Sequence, residues 1–291
     1  MPDAIRFVYK TFHPIHSPCL YGEQYFLDTL LTGKVDFQWG GELAGLDGVI
    51  ISFRGNDNAK YIDELNEAIS HLKWCVIIIT GNENSTGFYK LIKHHNCKVW
   101  VQTPKWEDDA DYYLGFGLPT RPWEYERPQQ PRFLDWSFAG QVNHSRREQL
   151  SKVLHKMPDC MPLVNLIETT GFFQGLPHRT YVDLLHNTKV VPCPGGPSTP
   201  DTFRLYEALE CGCVPVADAH AGHHDFDGDY WQKVFGEVPF PVIHDWREFP
   251  ELLKHVLADW DKLQPEVASW WADRKQKIVT DLFSQIKELQ Q

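Results

Sequence analysis

The stretch Ser198–Ala217, STPDTFRLYEALECGCVPVA, puts charge where a helix begins. Asp201 or Thr202 is a good N-cap. The helix that follows carries Arg204 in its first turn, with Glu207 and Glu210 on a shared face. It then passes through Gly212 into the apolar run Cys213–Ala217. In an α/β unit such a helix starts at the carboxyl edge of the sheet, where ligands bind. Its free backbone N–H groups and dipole favour a phosphate there. Arg204 would add paired bonds to phosphate oxygens, and Glu207 could accept from both hydroxyls of a ribose. A cation in the first turn opposes the dipole, which itself points to a nearby anion. From composition alone the segment also reads as an ordinary amphipathic helix, with Phe203, Leu205, Ala208 and Leu209 in the core.

Two neighbouring segments share this chemistry. The loop Pro192–Pro200, PCPGGPSTP, holds Gly195 and Gly196, which allow close backbone approach, and Ser198 and Thr199, which offer hydroxyls. Lying just before the helix, it is read as lining the same ligand. The segment HAGHHDFD brings together His220, His223, His224, Asp225 and Asp227. These residue types could hold a divalent ion or form a polar wall beside the phosphate site.

The elements that must position these residues follow a βα rhythm. Ile5–Tyr9, Gly48–Phe53, Trp74–Thr80 and Lys98–Gln102 read as strands, and Gly22–Leu31, Ala59–His71 and Phe88–His95 as helices. WCVIIIT is a continuous apolar run of the kind that a parallel sheet buries on both faces. Leu118–Arg132 carries four prolines and many charges, and marks the domain boundary. The rhythm then restarts. Phe133–Ala139, Leu163–Glu168 and Lys189–Cys193 read as strands, with helices over Arg146–Met157 and Pro177–His186. The tail, Asp245–Gln291, reads as mostly helical with a break near Pro265. The expected fold is α/β, with two Rossmann-like halves, 1–128 and 129–291, and a ligand cleft between them.

Bulk properties narrow the function classes. The chain has 291 residues, 42% of them hydrophobic, with 11 Trp, 17 Phe and 11 Tyr, enough for well-built cores. A formal net charge of −11 disfavours non-specific binding to nucleic acid or anionic membrane. The seven cysteines show no metal-type spacing and are expected as reduced thiols. No membrane span or signal peptide is apparent, so a soluble, cytoplasmic protein is expected.

The run Asp201–Val216, DTFRLYEALECGCVPV, resembles the donor-binding signature of exostosin-like glycosyltransferases of the GT-B fold, and more weakly that of fucosyltransferases. Phe138–Leu150, Tyr181–Pro194 and Pro241–Leu253, with Asp245-Trp246, are similar to further segments of that family in the same order. The resemblance implies transfer of a sugar from a nucleoside diphosphate sugar, a UDP-sugar first, to a hydroxyl acceptor with inversion. It implies Arg204 on the diphosphate, Glu207 on the ribose, Gly140 letting the backbone approach, and Gln141, Asn143 and Arg147 as lesser contacts. With Gly195, Gly196, Ser198, Thr199, Asp201, Thr202 and His223, these make up the expected donor site. GT-B enzymes generally stabilise the leaving diphosphate with cations and helix dipoles, so no metal cofactor is expected.

The catalytic base should then lie on the N-terminal half, at His16 or His13, next at Glu23, or at Glu83 after the third strand. The expected acceptor is a glycan. Two alternatives stand beside this reading: a viral DNA glycosyltransferase acting on hydroxymethylated bases, and a nucleotide-sugar-binding module without turnover.

Overall fold

The computed structural model describes residues 5–10, 22–39, 43–54, 61–81, 90, 92–104, 110–128, 130–171, 174–223 and 229–291. The chain divides into two units, Met1–Pro119 with Arg274–Gln291, and Thr120–Asp273. The last residues thus group with the first unit.

The first unit is built on β1 (Arg6–Lys10), β2 (Asp36–Trp39), β3 (Gly48–Arg54), β4 (Trp74–Thr80), β5 (Cys97–Gln102) and β6 (Tyr112–Leu114). All pairs are parallel, in the order β2-β1-β3-β4-β5-β6. Helix α1 (Gly22–Leu31) lies between β1 and β2 in the chain, and α2 (Ile62–Ile69) between β3 and β4. The apolar run of β4 is buried at every residue. Val8, Ile51, Ile77 and Val101, from four adjacent strands, join Leu65 and Ile69 of α2 in one core cluster. β2 and β6 escaped the sequence reading because DFQW and YYL are too short and mixed to show a period. The helix expected over Phe88–His95 is absent at its described end, Ile92–His94.

The second unit restarts the same architecture. Its strands are β7 (Leu134–Trp136), β8 (Phe138–Gln141), β9 (Leu166–Thr169), β10 (Thr188–Cys193), β11 (Val214–Asp218) and β12 (Val242–Ile243). β7 and β8 are one bent strand joined through Ser137. Its first half pairs with β10 and its second half with β9, so the order is β9-β8/β7-β10-β11-β12, all parallel. Helices α3 (Ser145–Leu154), α4 (His178–His186), α5 (Phe203–Glu210), α6 (Tyr230–Phe235) and α7 (Phe249–Ala258) provide the crossovers and cover. Helix α8 (Trp260–Leu289) runs through Pro265, correcting the expected break. Pro265 falls early in the helix, where its missing N–H forgoes only one bond, to the Asp261 carbonyl. Among the described residues no helix is long and apolar enough to cross a membrane.

The bend in the β7–β8 strand has a local cause. The Ser137 N–H donates to the Val190 carbonyl at 3.4 Å, so this edge of β10 faces β7. Backbone groups two residues apart point to the same side, so residue 192 of β10 should supply the next bond to that strand. It is a proline and has no N–H to give. The ladder with β7 therefore ends at Trp136–Val190, while the ladder with β11 continues to Cys193–Ala217. The sheet parts at its carboxyl end, between β8 and β10.

Candidate functional site

The parting falls at a topological switch point. From the bent strand the chain crosses one way to β9 and the other way to β10, and α/β sheets bind ligands at the carboxyl ends of such a pair. Arg204 fills the gap. The Thr202 hydroxyl caps α5 by accepting from the Arg204 N–H. The Arg204 Nη2 donates to the Ala139 carbonyl at 2.6 Å, the carbonyl that faces the missing part of β10. Its guanidinium carbon lies 4.6 Å from the centre of the Phe138 ring. A Cβ on Gly140 would come within 2.0 Å of Nη2, so glycine is required for this seat.

Among the described residues, the rest of the Arg204 guanidinium has no hydrogen-bond partner. The residue is 9% exposed, and its Nε and Nη1 are buried without an acceptor. Arg147, in the first turn of α3, also has its Nε buried without a partner. Burial pulls the Arg147 pKa down, and the charge of Arg204 pulls it further, so the two guanidinium groups repel each other. Buried donors left unpaired cost stability, and the repulsion between the two guanidinium groups adds to that cost, offset in part by the attraction between Arg204 and the Glu207 carboxylate. A diphosphate bonded to both would relieve both costs.

Glu207, one turn along α5, is 8% exposed. The Tyr181 hydroxyl donates to its Oε2 at 2.9 Å and the Tyr125 hydroxyl to its Oε1 at 3.1 Å. Burial raises its pKa, while the bond from Tyr181, the charge of Arg204 and the bond from Tyr125 oppose the rise. Each carboxylate oxygen keeps a lone pair for a further donor, as a ribose hydroxyl would require. The sequence reading had neither tyrosine. Tyr125 comes from the proline-rich boundary segment, in a 3-10 turn over Pro122–Tyr125.

The loops around the gap are tied by a second carboxylate that the sequence reading missed. Asp218, at the end of β11, is fully buried. It accepts from the Arg146 guanidinium, the backbone N–H groups of Gly195 and His220, and the Trp246 indole. One carboxylate thus joins α3 to the loops after β10 and β11 and to the turn at Trp246. Its only sequence signal is an acid closing the apolar run CVPVAD.

Other expected residues divide between scaffold and surface. Asp201 is fully buried, and accepts from the hydroxyls of Tyr206 and Tyr230 and from the Thr202 N–H. Its contacts are therefore those of scaffold. Thr199 is buried and its hydroxyl accepts from the Asp201 N–H. A Cβ on Gly195 would come within 2.2 Å of the His220 carbonyl, so this glycine serves the packing of two loops. Gly196 is buried and its carbonyl accepts from the Gly222 N–H. Ser198 is half-buried. Asn143 is exposed, and donates to the Gln141 side chain beyond Gly140 at the end of β8. His223 is exposed and meets the ring of the buried His144 edge-on, with centres 5.9 Å apart.

His13, His16 and Glu83 lie outside the described residues, as do His224, Asp225 and Asp227; Glu23 falls in α1, with its side chain outside them. Among the described residues no three His, Cys, Asp or Glu side chains converge as a metal site.

The family described as "RXYLT1 C-terminal domain" matches residues 118–289. The match takes in Gly140, Arg147, Arg204, Glu207 and Asp218 and leaves out every candidate base. It speaks for the exostosin-like group and lends nothing to the weaker likeness to fucosyltransferases. No curated protein matches the chain significantly. With more than half of its length inside that match, the chain belongs to the RXYLT1 C-terminal domain family, named for a xylosyltransferase of the exostosin-like group, and so stands among the glycosyltransferases.

Proposed function

We propose that the chain is a GT-B glycosyltransferase that moves a sugar from a UDP-sugar to a glycan hydroxyl with inversion. One observation carries the reading: among the described residues Arg204 has two buried donors without a hydrogen-bond partner, and its charge acts on the half-buried Arg147, whose Nε is also buried without one. Arg204 and Arg147 would hold the diphosphate, with the backbone approaching at Gly140. Glu207 would accept from the ribose hydroxyls. Gly195, Gly196 and Ser198 would line the donor, and Gln141, Asn143 and His223 would reach the sugar or phosphate from the rim. The first unit would supply the base, from His13, His16, Glu23 or Glu83. In the transfer, the acceptor oxygen bonds to the anomeric carbon as the bond to the β-phosphate oxygen breaks. The acceptor proton passes to the base, and the diphosphate leaves with the electron pair. Guanidinium groups fixed beforehand stabilise the charge developing on that leaving group, the part a metal plays in other transferases.

The test is release of UDP from UDP-xylose, UDP-glucose and UDP-N-acetylglucosamine, with a panel of oligosaccharide acceptors and with chelator present. UDP-xylose comes first, because the family's namesake is a xylosyltransferase. Acceptor-dependent release that survives chelator and is lost in Arg204→Gln supports the assignment. Binding of these donors without release under any condition would leave a nucleotide-sugar-binding module instead. Loss in chelator, restored by one added metal, would overturn the metal-free mechanism.

A further inference from the structure

His144 follows β8 and occupies the N-cap position of α3, where a side chain that accepts from the helix N–H groups is usual. It makes no such bond. It is 3% exposed, and both its ring nitrogens are buried with no hydrogen-bond partner among the described residues. A buried imidazole normally bonds through at least one nitrogen, because stranding a polar atom out of water costs free energy. The ring is held in place all the same. A Cβ on Gly222 would come within 2.4 Å of Nδ1, and the Ser145 hydroxyl donates to the Gly222 carbonyl at 2.8 Å.

The charged and titratable groups that face His144, among the described residues, are cationic or basic. They are Arg147 and Arg146 from its own helix and His223 from the loop after β11. Burial, then Arg147, His223 and Arg146, push its pKa down to about 4, so the ring is neutral near pH 7 in the unliganded protein. Arg147 in turn feels Arg204. The neutral His144 ring thus sits in the field of Arg147, itself acted on by Arg204, and among the described residues each of the three has a buried nitrogen with no hydrogen-bond partner.

We propose that His144 is a donor-binding residue, whose imidazole hydrogen-bonds the diphosphate of the sugar nucleotide and takes up one proton from solution as the donor binds. The inference rests on the reading of this site as a sugar-nucleotide site. The proton balance is simple. The neutral ring supplies one N–H and one lone pair. A doubly charged diphosphate beside it offsets Arg146 and Arg147 and favours the imidazolium. The proton comes from the buffer and returns to it when the diphosphate leaves. Donor affinity should therefore fall as pH rises, because alkaline solution opposes the uptake.

The experiment is calorimetry of the intact chain with UDP-xylose, UDP-glucose and UDP-N-acetylglucosamine, between pH 6 and 8, in buffers of different ionisation enthalpy. Sugar nucleotides have no phosphate group that titrates in this range, so any uptake belongs to the protein. The wild type should take up part of a proton per donor bound near pH 6 and bind more weakly at pH 8. His144→Gln should lose the uptake and raise Kd about tenfold, the loss of one hydrogen bond to a charged group. His144→Phe should do the same with unliganded thermal stability equal to wild type or higher, which a merely structural histidine would not show. Gly222→Ala, which drives a methyl group into the ring, should weaken binding while His144 is still present. Wild-type binding without proton uptake, or unchanged uptake and Kd in His144→Gln, would overturn the inference and leave the donor site standing. Absence of binding by the wild type to all three nucleotides would overturn the donor-site reading and this inference with it.

Discussion

Replacing Arg204 with methionine separates a residue built for a ligand from one built for the fold. In the unliganded protein the variant loses a charged hydrogen bond to the Ala139 carbonyl, worth about 1.5–3 kcal/mol, and the contact over Phe138, about 0.5–2 kcal/mol. Glu207 loses the attraction that favours its buried carboxylate; against these losses, the variant removes two buried, unpartnered donors, each costing about 1–3 kcal/mol, and the repulsion on Arg147. The two sides nearly cancel, so unliganded stability should move by no more than about 2 kcal/mol in either direction. Donor binding has no such compensation. Two charged bonds to the diphosphate are worth about 3–6 kcal/mol, a rise in Kd of roughly 10²–10⁴. The assay is thermal unfolding with and without the UDP-sugar. At a concentration about a hundredfold above Kd, wild type gains about 2.7 kcal/mol. The variant should gain no more than about 0.4 kcal/mol. A variant that unfolds several kcal/mol more easily alone, yet keeps the full stabilisation by ligand, would show that Arg204 is a structural pin and refute the argument.

Gly140→Ala should weaken the UDP-sugar, though less than an Arg204 variant does, since a Cβ 2.0 Å from Nη2 pushes the flexible end of the guanidinium off the Ala139 carbonyl; a Kd within twofold of wild type, by calorimetry, counts against this seat. Asp218→Asn should destabilise the second unit by about 3–5 kcal/mol in urea unfolding, because it strands the half-buried Arg146 and a set of aligned N–H donors; a loss under about 1 kcal/mol would mean the loops are held by other contacts. Tyr181→Phe removes the largest opposing influence on the pKa of Glu207, so that pKa rises. Donor affinity should then decline on the acidic side at a higher pH than in wild type, and superimposable profiles would dissociate Glu207 from donor binding.

Much of the fold was legible because burial leaves a period in the sequence. WCVIIIT and GVIISF announced β4 and β3 by apolar runs that a two-sided sheet must bury, and both strands were found where the runs lie. The helix carrying Arg204 and Glu207 was legible because its cap, first turn and exit glycine are all local. DFQW, YYL and the interruption at Ser137 were not, since two- to four-residue elements show no period and the bend depends on a proline in another strand.

By itself the sequence determined that an arginine sits in the first turn of a capped helix, between two strands of a parallel sheet. Neighbouring residues decide that, through capping and periodicity. Only the tertiary structure decided what that arginine does next. Its bond to Ala139 spans 65 residues, and the gap it fills exists because Pro192 ends a ladder with a strand far back in the chain. The same holds for Asp201, turned inward onto two tyrosine hydroxyls, for Asp218, which gathers four segments, and for His144, whose nitrogens have no partner. A hydrogen bond between distant residues leaves no periodic trace. The sequence therefore named the charges, and the packing decided which of them the protein neutralises and which it leaves without a hydrogen-bond partner among the described residues.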